Sequence, residues 1–332
     1  MRVLAITNIY PAPDRPYLGI FVQEQVNGLR AAGADVDVLF VDRQTEGMKT
    51  YFRLHHPVRE RVERFRPDVI HVMYGGVMAE RVVARAWGRP VVVTFQGSDL
   101  LGENLSGLAR KLISRVGIGF SLRAAGRADG VVIVARSLEE RLPRSVDRGK
   151  IRVIPCGIDL DRFVPLEGRA CRRELGWTED TFHILASVGD PMKRPELARA
   201  AAAALRARGV ACELHFLRGV PNADVPRWLG GSHVFLMTSL QEGSPTIVKE
   251  ALACSVPVVS VDVGDVAERI DGIRGCWVAK AEATDLAEKL GLVAARRERV
   301  DARHRLAELS HVAVARRLLA FYAELSAARD AD

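Results

Sequence analysis

The sequence predicts an α/β fold made of two doubly wound parallel sheets. Short runs rich in Val, Ile and Leu alternate with helical stretches along the chain, as in parallel sheets covered by helices on both faces. The alternation breaks once, over the proline-containing stretch 155–165, and then starts again. A chain of 332 residues also exceeds the usual size of one hydrophobic core. We therefore expect two domains with one sheet each.

The first half of the chain contains six short apolar runs that predict buried strands. They cover residues 3–6, 36–41, 69–72, 91–95, 130–134 and 151–154. Apolar residues at helical spacing predict helices between them, at 20–32, 77–87 and 108–125.

The second half repeats the pattern. Its predicted strands cover residues 184–188, 213–217, 234–238 and 256–261. The tail over 311–328 carries apolar residues at helical spacing and predicts a closing helix. We place the domains at 1–160 and 161–310, followed by this helix over 311–332.

Composition narrows the class of protein. Hydrophobic residues make up 48% and charged residues 27%, which is typical of a globular protein and argues against disorder. The net charge of +7 favours an acidic ligand or surface.

Five scattered cysteines form no C-x-x-C pair, so a zinc-finger or disulfide framework is excluded. With no cleavable leader or long apolar run, we expect a cytoplasmic protein.

The most informative segment covers residues 238–268. A predicted strand ends at Thr238, and Ser244-Pro245 then begins a helix, with serine as N-cap and proline in the first turn. A helix that begins at the carboxyl edge of such a sheet offers free N–H groups and a positive dipole end to an anion. The segment therefore predicts a phosphate site.

Two carboxylates bracket this predicted site. Glu242 lies in the loop before the helix, and Glu250 lies roughly 8 Å along its axis. Carboxylates accept hydrogen bonds from vicinal hydroxyls, so a ligand with central phosphates and a diol at each end fits the layout. A sugar nucleotide is such a ligand. The alternative is a capped helix with two solvated glutamates.

At these residues the chain resembles the retaining family 4 glycosyltransferases of the GT-B fold, and among them the teichuronic acid biosynthesis type. Their hallmark, two glutamates separated by seven residues, matches Glu242 and Glu250. Further matches are I-T-N-I-Y-P, G-I-F-V-Q-E-Q, V-V-T-F-Q-G-S-D-L and V-I-P-C-G-I-D. The resemblance implies two Rossmann-like domains facing a cleft, with the acceptor on 1–160, the donor on 161–310 and the last helix packed back on the N-terminal domain.

The resemblance also implies residue roles on the donor side. Glu250 would hold the ribose hydroxyls, and Glu242 the hydroxyls of the transferred sugar. Lys193 would bind phosphate. Arg194 would substitute for the family's arginine, because Asp190 follows the glycine in this chain. The backbone that would bind sugar and phosphate belongs to Gly243, Ser244, Pro245, Thr246 and Ile247.

On the acceptor side the resemblance implies four residues. Gly19 would let the backbone approach the phosphate and the acceptor. Ser98 and Asp99 would face the cleft at the end of the fourth strand. Gln96 stands where many relatives have histidine, so hydrogen bonding to the sugar is kept while a titratable role is lost.

The implied reaction moves a sugar, of the hexosyl type, from a nucleoside diphosphate sugar to a hydroxyl with retention, in glycan or polysaccharide biosynthesis. No cofactor and no metal are expected, and we interpret the D-x-D spacings at 35–37 and 159–161 as structural. A UDP-sugar is favoured over a GDP-sugar. Two alternatives stay open: a non-catalytic sugar-nucleotide-binding partner of another transferase, and an epimerase or hydrolase on the same fold.

A last prediction concerns membranes and other partners. The segment 108–127 combines apolar with basic residues, which favours a peripheral contact with anionic lipid at the inner face of the membrane and suits a lipid-linked glycan acceptor. A cleft-lining or core helix with a solvated basic face is the alternative. No nucleic acid is expected, since no recognition motif accompanies the positive charge.

Overall fold

The computed structural model describes residues 1–16, 18–102, 107–189 and 191–331. Contacts within the chain divide it into two compact units. The first unit comprises Met1–Gly157 and His311–Asp332, and the second comprises Ile158–Ser310. Each is built around one parallel sheet, so the predicted fold class is confirmed.

The sheet of the first unit has six strands within the described residues. They are β1 (Arg2–Thr7), β2 (Asp35–Phe40), β3 (Val69–Val72), β4 (Val91–Phe95), β5 (Gly130–Ile133) and β6 (Ile151–Val153). Their order across the sheet is β2-β1-β3-β4-β5-β6, and every pairing is parallel. All six predicted strands are confirmed, with ends shifted by a residue or so.

Helices cover both faces of this sheet. They are α1 (Ile20–Ala31), α2 (Arg43–Glu46), α3 (Thr50–Arg53), α4 (His55–Phe65), α5 (Gly76–Val83), α6 (Ser98–Leu101) and α7 (Leu108–Arg127). Side chains of β1 alternate between two cores, with Leu4 and Ile6 in one and Val3 and Ala5 in the other. All four are fully buried. This double burial explains why the strand is apolar throughout rather than alternating.

The second unit repeats the design with a sheet of five strands in its described part. They are β7 (Phe182–Ser187), β8 (Cys212–Leu217), β9 (Val234–Met237), β10 (Val258–Val261) and β11 (Trp277–Ala279), in the order β11-β10-β9-β7-β8. The helices are α8 (Gly168–Leu175), α9 (Pro195–Ala207), α10 (Val225–Gly231), α11 (Thr246–Ala253), α12 (Val266–Ile270) and α13 (Ala283–Arg296). The sequence missed β11, a three-residue edge strand too short to show an apolar run.

The last helix, α14 (His311–Ala331), belongs to the first unit. Leu318 and Phe321 are buried in the core that α1 shares with the sheet. Tyr322 is fully buried, and its hydroxyl lies 2.7 Å from Nδ1 of His71 in β3. None of the helices in the described ranges is long and apolar enough to cross a membrane.

Candidate functional site

The strand order of the second sheet reverses beside β7. The first strand of the unit, β7, has β8 on one side and β9 on the other. The chain therefore runs from β7 to β8 on one side and then crosses to β9 on the other side. The carboxyl edge at such a point is where open α/β sheets bind ligands. The loops that follow β7 and β9 hold Lys193 and Glu242.

Lys193 and Glu242 form an ion pair at this edge. The Lys193 Nζ donates to Glu242 Oε1 across 2.6 Å, a charge-assisted hydrogen bond. The Lys193 side chain is 29% exposed and the Glu242 side chain is 14% exposed, so a ligand can reach the ammonium. The structure thus brings together two residues that the sequence analysis assigned to one site.

Backbone contacts hold the two loops together. The Thr238 hydroxyl donates to the carbonyl of Lys193 at 2.7 Å, and the Leu240 N–H donates to the carbonyl of Met192 at the same distance. The Arg194 guanidinium donates from Nε to the Thr238 carbonyl at 2.6 Å and from a terminal nitrogen to that of Ser239. Arg194 therefore positions the loops, and its role toward phosphate stays a prediction. Asp190 lies outside the described residues.

The predicted start of the helix is wrong by one or two residues. Helix α11 begins at Thr246, and Pro245 is its N-cap, with extended ψ of 117°. The Ser244 hydroxyl makes no cap within the described residues, because it donates to Asp265 Oδ2 at 2.7 Å and accepts from Lys249 Nζ at 2.9 Å. Pro245 has no N–H, so its backbone cannot donate a hydrogen bond to the phosphate or sugar of a bound sugar nucleotide.

A buried polar network replaces the expected cap. Lys249 is fully buried and Asp265 retains 4% exposure. The Arg269 Nε also donates to Asp265 Oδ2, at 2.9 Å. Beside them, a Cβ added to Gly264 would lie 2.1 Å from the carbonyl oxygen of Gly243, so only glycine permits this approach. The network holds the 242–245 loop in place by means that no local sequence signal shows.

The first turn of α11 is the source of the amides predicted to bind phosphate. Thr246 and Ile247 are partly buried and begin the helix, where N–H groups have no partner within the helix. Glu250 is the fifth residue of α11 and is also partly buried. The dipole of α11 and the charge of Lys193 both favour an anion here.

In the first unit, the residues predicted to face the acceptor lie at the carboxyl edge of the sheet. Gly19 precedes α1 with φ of 73°, in the left-handed region. A Cβ there would lie 2.6 Å from the carbonyl carbon and oxygen of Ile9. Both the dihedral angle and the close approach require glycine.

Asp99 is a buried carboxylate, and its predicted position facing the cleft stays a prediction. Asp99 follows β4 by four residues, within α6, and retains only 6% exposure. Its carboxylate accepts from the N–H groups of Gly75, Gln96 and Gly97 at 2.9–3.0 Å. Burial raises the pKa of this carboxyl, although the backbone donors oppose the shift. Asp99 positions the loops after β3 and β4, because backbone donors surround it.

Gln96 and Ser98 both have partners in the same unit. Gln96 donates from Nε2 to the carbonyl of Met73 at 3.3 Å, and its Oε1 accepts from the Cys156 thiol at 3.3 Å. The Ser98 hydroxyl lies 2.7 Å from that of Tyr74. The sugar contact expected of Gln96 stays a prediction.

Ser98 also lines a mostly apolar pocket of about 600 Å³ in the first unit. Asn8, which also lines this pocket, was not predicted from the sequence. The Asn8 Oδ1 atom is buried and meets no hydrogen-bond donor in the described part of the chain. Leu112, Ile113 and Val116 of α7, which belong to the predicted amphipathic segment, also line the pocket and are each more than half exposed.

Helix α7 is exposed near its start and buried near its end. Leu112, Ile113 and Val116 are exposed near its start, whereas Ala124 and Ala125 are fully buried near its end. Lipid contact of the predicted amphipathic segment 108–127 stays a prediction. Its N-terminal half combines exposed apolar side chains with the exposed Lys111 and Arg115.

Comparison with known families matches each half of the chain separately. Residues 18–162 match Glycosyltransferase Family 4, and residues 176–295 match Glycosyl transferases group 1. TuaC of Bacillus subtilis (strain 168), assigned to teichuronic acid biosynthesis as a glycosyltransferase, is 26% identical over 87% of this chain and 88% of its own.

Two solved structures show the same fold at low identity. Sucrose-phosphate synthase of Thermosynechococcus elongatus superposes with a TM-score of 0.80 at 16% identity, over 99% of this chain and 100% of that one. HepE of Anabaena, in complex with UDP-glucose, gives a TM-score of 0.71 at 15% identity, over 98% and 100%.

Proposed function

Because this chain belongs to the GT-B glycosyltransferases of the family 4 and group 1 type, we propose that it transfers a hexosyl group from a nucleoside diphosphate sugar to a hydroxyl with retention. The observation that carries the proposal is the Lys193–Glu242 ion pair, beside the first turn of α11, at the switch point of the second sheet. This pairing of one cation with one carboxylate supports a site that binds a phosphate next to a sugar.

In this proposal the second unit binds the donor. Thr246 and Ile247 amides bind the diphosphate, and Glu250 accepts hydrogen bonds from the ribose. Glu242 accepts hydrogen bonds from the hydroxyls of the transferred sugar. Lys193 lies within reach of both groups, since it already contacts Glu242.

The reaction follows from these placements. The bond between the anomeric carbon and the phosphate oxygen breaks, and negative charge grows on the departing diphosphate. Lys193 and the α11 amides stabilise that charge. The acceptor oxygen bonds to the anomeric carbon on the same face, and its proton passes to the departing phosphate. No side chain is assigned as a covalent nucleophile, and neither a metal ion nor a cofactor is assigned to catalysis.

The donor is proposed to be a UDP-sugar. The structure of HepE with UDP-glucose supports this choice, since that protein shares the fold. Similarity to TuaC supports a role in glycan biosynthesis. We propose that the acceptor binds to the first unit, where the apolar pocket suits an acceptor with an apolar portion. Exposed Leu112 and Ile113 beside Lys111 support contact with an anionic membrane.

The test is calorimetry with UDP-, GDP-, ADP- and dTDP-glucose, followed by turnover with the donor that binds. Proton NMR of the product gives the anomeric configuration. We expect one UDP-sugar to bind and the configuration to be retained. Inversion at the anomeric carbon would reject the retaining mechanism, and failure of every donor to bind would reject the function.

The same experiment separates the alternatives. A non-catalytic partner would bind the donor without turnover in the presence of a range of hydroxyl acceptors. A hydrolase would release free sugar, and an epimerase would return an altered donor, in both cases without an acceptor. The buried state of Asp99 and the neutral Gln96 favour the transferase over these two, because neither offers an acid or base to the sugar.

A further inference from the structure

A second cluster of polar side chains lies in the second unit, away from the proposed donor loops. His183 on β7 pairs in register with Glu213 on β8, and Leu185 pairs with His215. Parallel register and alternation place His183, Glu213 and His215 on one face of the sheet. His183 is the second residue of β7, whereas Lys193 follows the other end of that strand, so the two sites lie at opposite edges.

Three ligand atoms converge in this cluster. His183 Nδ1 lies 3.0 Å from His215 Nε2, and Glu213 Oε2 lies 3.9 and 3.6 Å from these two nitrogens. One point is about 2.1 Å from all three atoms, which matches the Zn–N and Zn–O distances of roughly 2.0–2.2 Å. The three atoms are therefore close enough together to share one ion.

The tautomer of His183 is also suited to metal binding. Its Nε2 lies 2.7 Å from the carbonyl oxygen of Thr178, which can only accept, so Nε2 carries the proton and Nδ1 presents a lone pair. A histidine ligand commonly donates its other N–H to a backbone carbonyl in this way. The Thr178 hydroxyl donates to Glu213 Oε1 at 3.1 Å, which leaves Oε2 facing the histidines.

The surroundings hold the rings in place and leave a path for solvent. Trp177 stacks on His215 with ring centroids 3.7 Å apart and planes 5° apart. His183 is fully buried, His215 retains 16% exposure and Glu213 retains 42%. Water can therefore complete the coordination from the Glu213 side, as in sites with three protein ligands.

We propose that His183, His215 and Glu213 bind one divalent transition-metal ion of the Zn²⁺ class. Two imidazoles and a carboxylate are a donor set that such ions favour. The ion crosslinks β8, the edge strand of the sheet, to β7 and stabilises the second unit. It takes no part in sugar transfer, because it lies at the edge of the sheet opposite the donor loops.

The test uses the full chain stripped with EDTA and titrated with Zn²⁺ against a competing chelator. Co²⁺ serves as a spectroscopic probe through its visible absorption. The variants are Glu213→Gln, which keeps an acceptor for the Thr178 hydroxyl, and His215→Gln. His304→Gln is the matched control, because its side chain is 67% exposed and lies outside the cluster.

We expect one equivalent of Zn²⁺ to bind to the parent and the control, and at least about ten-fold weaker binding in both cluster variants. At a hundred-fold excess over Kd, Zn²⁺ should raise the unfolding temperature of the parent by roughly 5 °C or more. The metal should leave UDP-sugar binding unchanged. If Zn²⁺ does not bind to the cluster, the metal proposal is wrong and the proposed function is unaffected.

Equal Zn²⁺ affinity in the parent, the two cluster variants and the control would overturn the proposal, and the cluster would then be only a hydrogen-bonded histidine pair. Binding of less than one equivalent of Zn²⁺ to the parent would also overturn it. Unfolding temperatures in EDTA provide the folding control. Because Glu213 is exposed, Glu213→Gln should match the metal-free parent, and loss of affinity in that variant then reports on the ligand rather than on folding.

Discussion

Lys193 Nζ lies 2.6 Å from Glu242 Oε1, and the two residues come from loops 49 positions apart in the chain. A donor phosphate that approaches Lys193 therefore meets an ammonium already paired with a carboxylate. Glu242 lowers the positive charge available to the nucleotide while it holds Lys193 in place. The two proposed roles of Glu242, toward the sugar and toward Lys193, have different consequences when it is removed.

Glu242→Ala should lower turnover by about ten- to a hundred-fold while UDP binding stays equal to the parent or becomes tighter. The transferred sugar loses hydrogen bonds that matter most as the bond breaks, and each is worth roughly 1.5–3 kcal/mol. Lys193 meanwhile loses its competing partner. Calorimetry with UDP and turnover rates measure both effects. Loss of UDP affinity as large as the loss of turnover would contradict the assignment.

Glu250→Ala should fail in the opposite way. The ribose does not change during the reaction, so the contact should be similar in the ground and transition states. UDP and the donor should both bind about ten- to a hundred-fold more weakly. Glu268→Ala is the control, since that side chain is 58% exposed in the same unit. If Glu250→Ala binds UDP like this control, the ribose assignment is wrong.

Gly19→Ala should displace the loop before α1 and reduce turnover with little effect on UDP binding. The added Cβ would lie 2.6 Å from the Ile9 backbone. Gly33→Ala separates this clash from backbone strain, because Gly33 also has positive φ, of 92°, but meets nothing within 4 Å. We expect the control to lose stability by about 1 kcal/mol and to keep its turnover. Equal turnover in both variants would remove Gly19 from the site.

Leu112→Ser combined with Ile113→Ser should reduce binding to anionic vesicles. The two side chains are 62% and 66% exposed, so their removal should cost little stability. Leu292→Ser, at a 42% exposed apolar position in the second unit, is the control. Co-sedimentation at low and high salt measures the effect. Recovery of the parent in the supernatant, with or without vesicles, would end the membrane proposal.

His71 should make the first unit less stable in acid. Burial lowers the pKa of His71 to about 3, while the unfolded chain keeps a value of about 6.5. Between these pH values the unfolded state binds the extra proton. The free energy of unfolding therefore falls as pH drops below about 6.5, by up to about 1.4 kcal/mol per pH unit, and this contribution is fully present above that pH.

His71→Gln tests this pH dependence, because glutamine keeps a donor and an acceptor for Thr94 and Tyr322 without titrating there. Hydrogen exchange of β3 and α14 amides between pH 7 and pH 4 reports on the first unit. The variant should lose less protection across this range than the parent and the His304→Gln control. An identical slope in all three would mean that His71 does not set the acid sensitivity.

Local patterns in the sequence were enough to predict the sheets, since a strand covered on both faces must be apolar along its length. The central strands, such as β1, β3, β4 and β9, largely meet this requirement, whereas β2 and β8 at the edges carry polar residues among apolar ones. The Glu242–Glu250 spacing was equally local, because a loop, a proline and a helix define it within nine residues. The short edge strand β11 lacked enough buried residues to be recognised.

Tertiary structure decided what each polar side chain does. Serine is a residue type that often caps helices, yet the Ser244 hydroxyl donates its hydrogen bond to Asp265, 21 residues away. Asp99 accepts hydrogen bonds from the backbone of the loops after β3 and β4, which the order of the strands in the sheet brings together. The local sequence predicts secondary structure, because the spacing of apolar residues along a strand or helix reflects which of its faces are buried. The polar partners of a side chain depend on strand order and register, which only long-range packing determines.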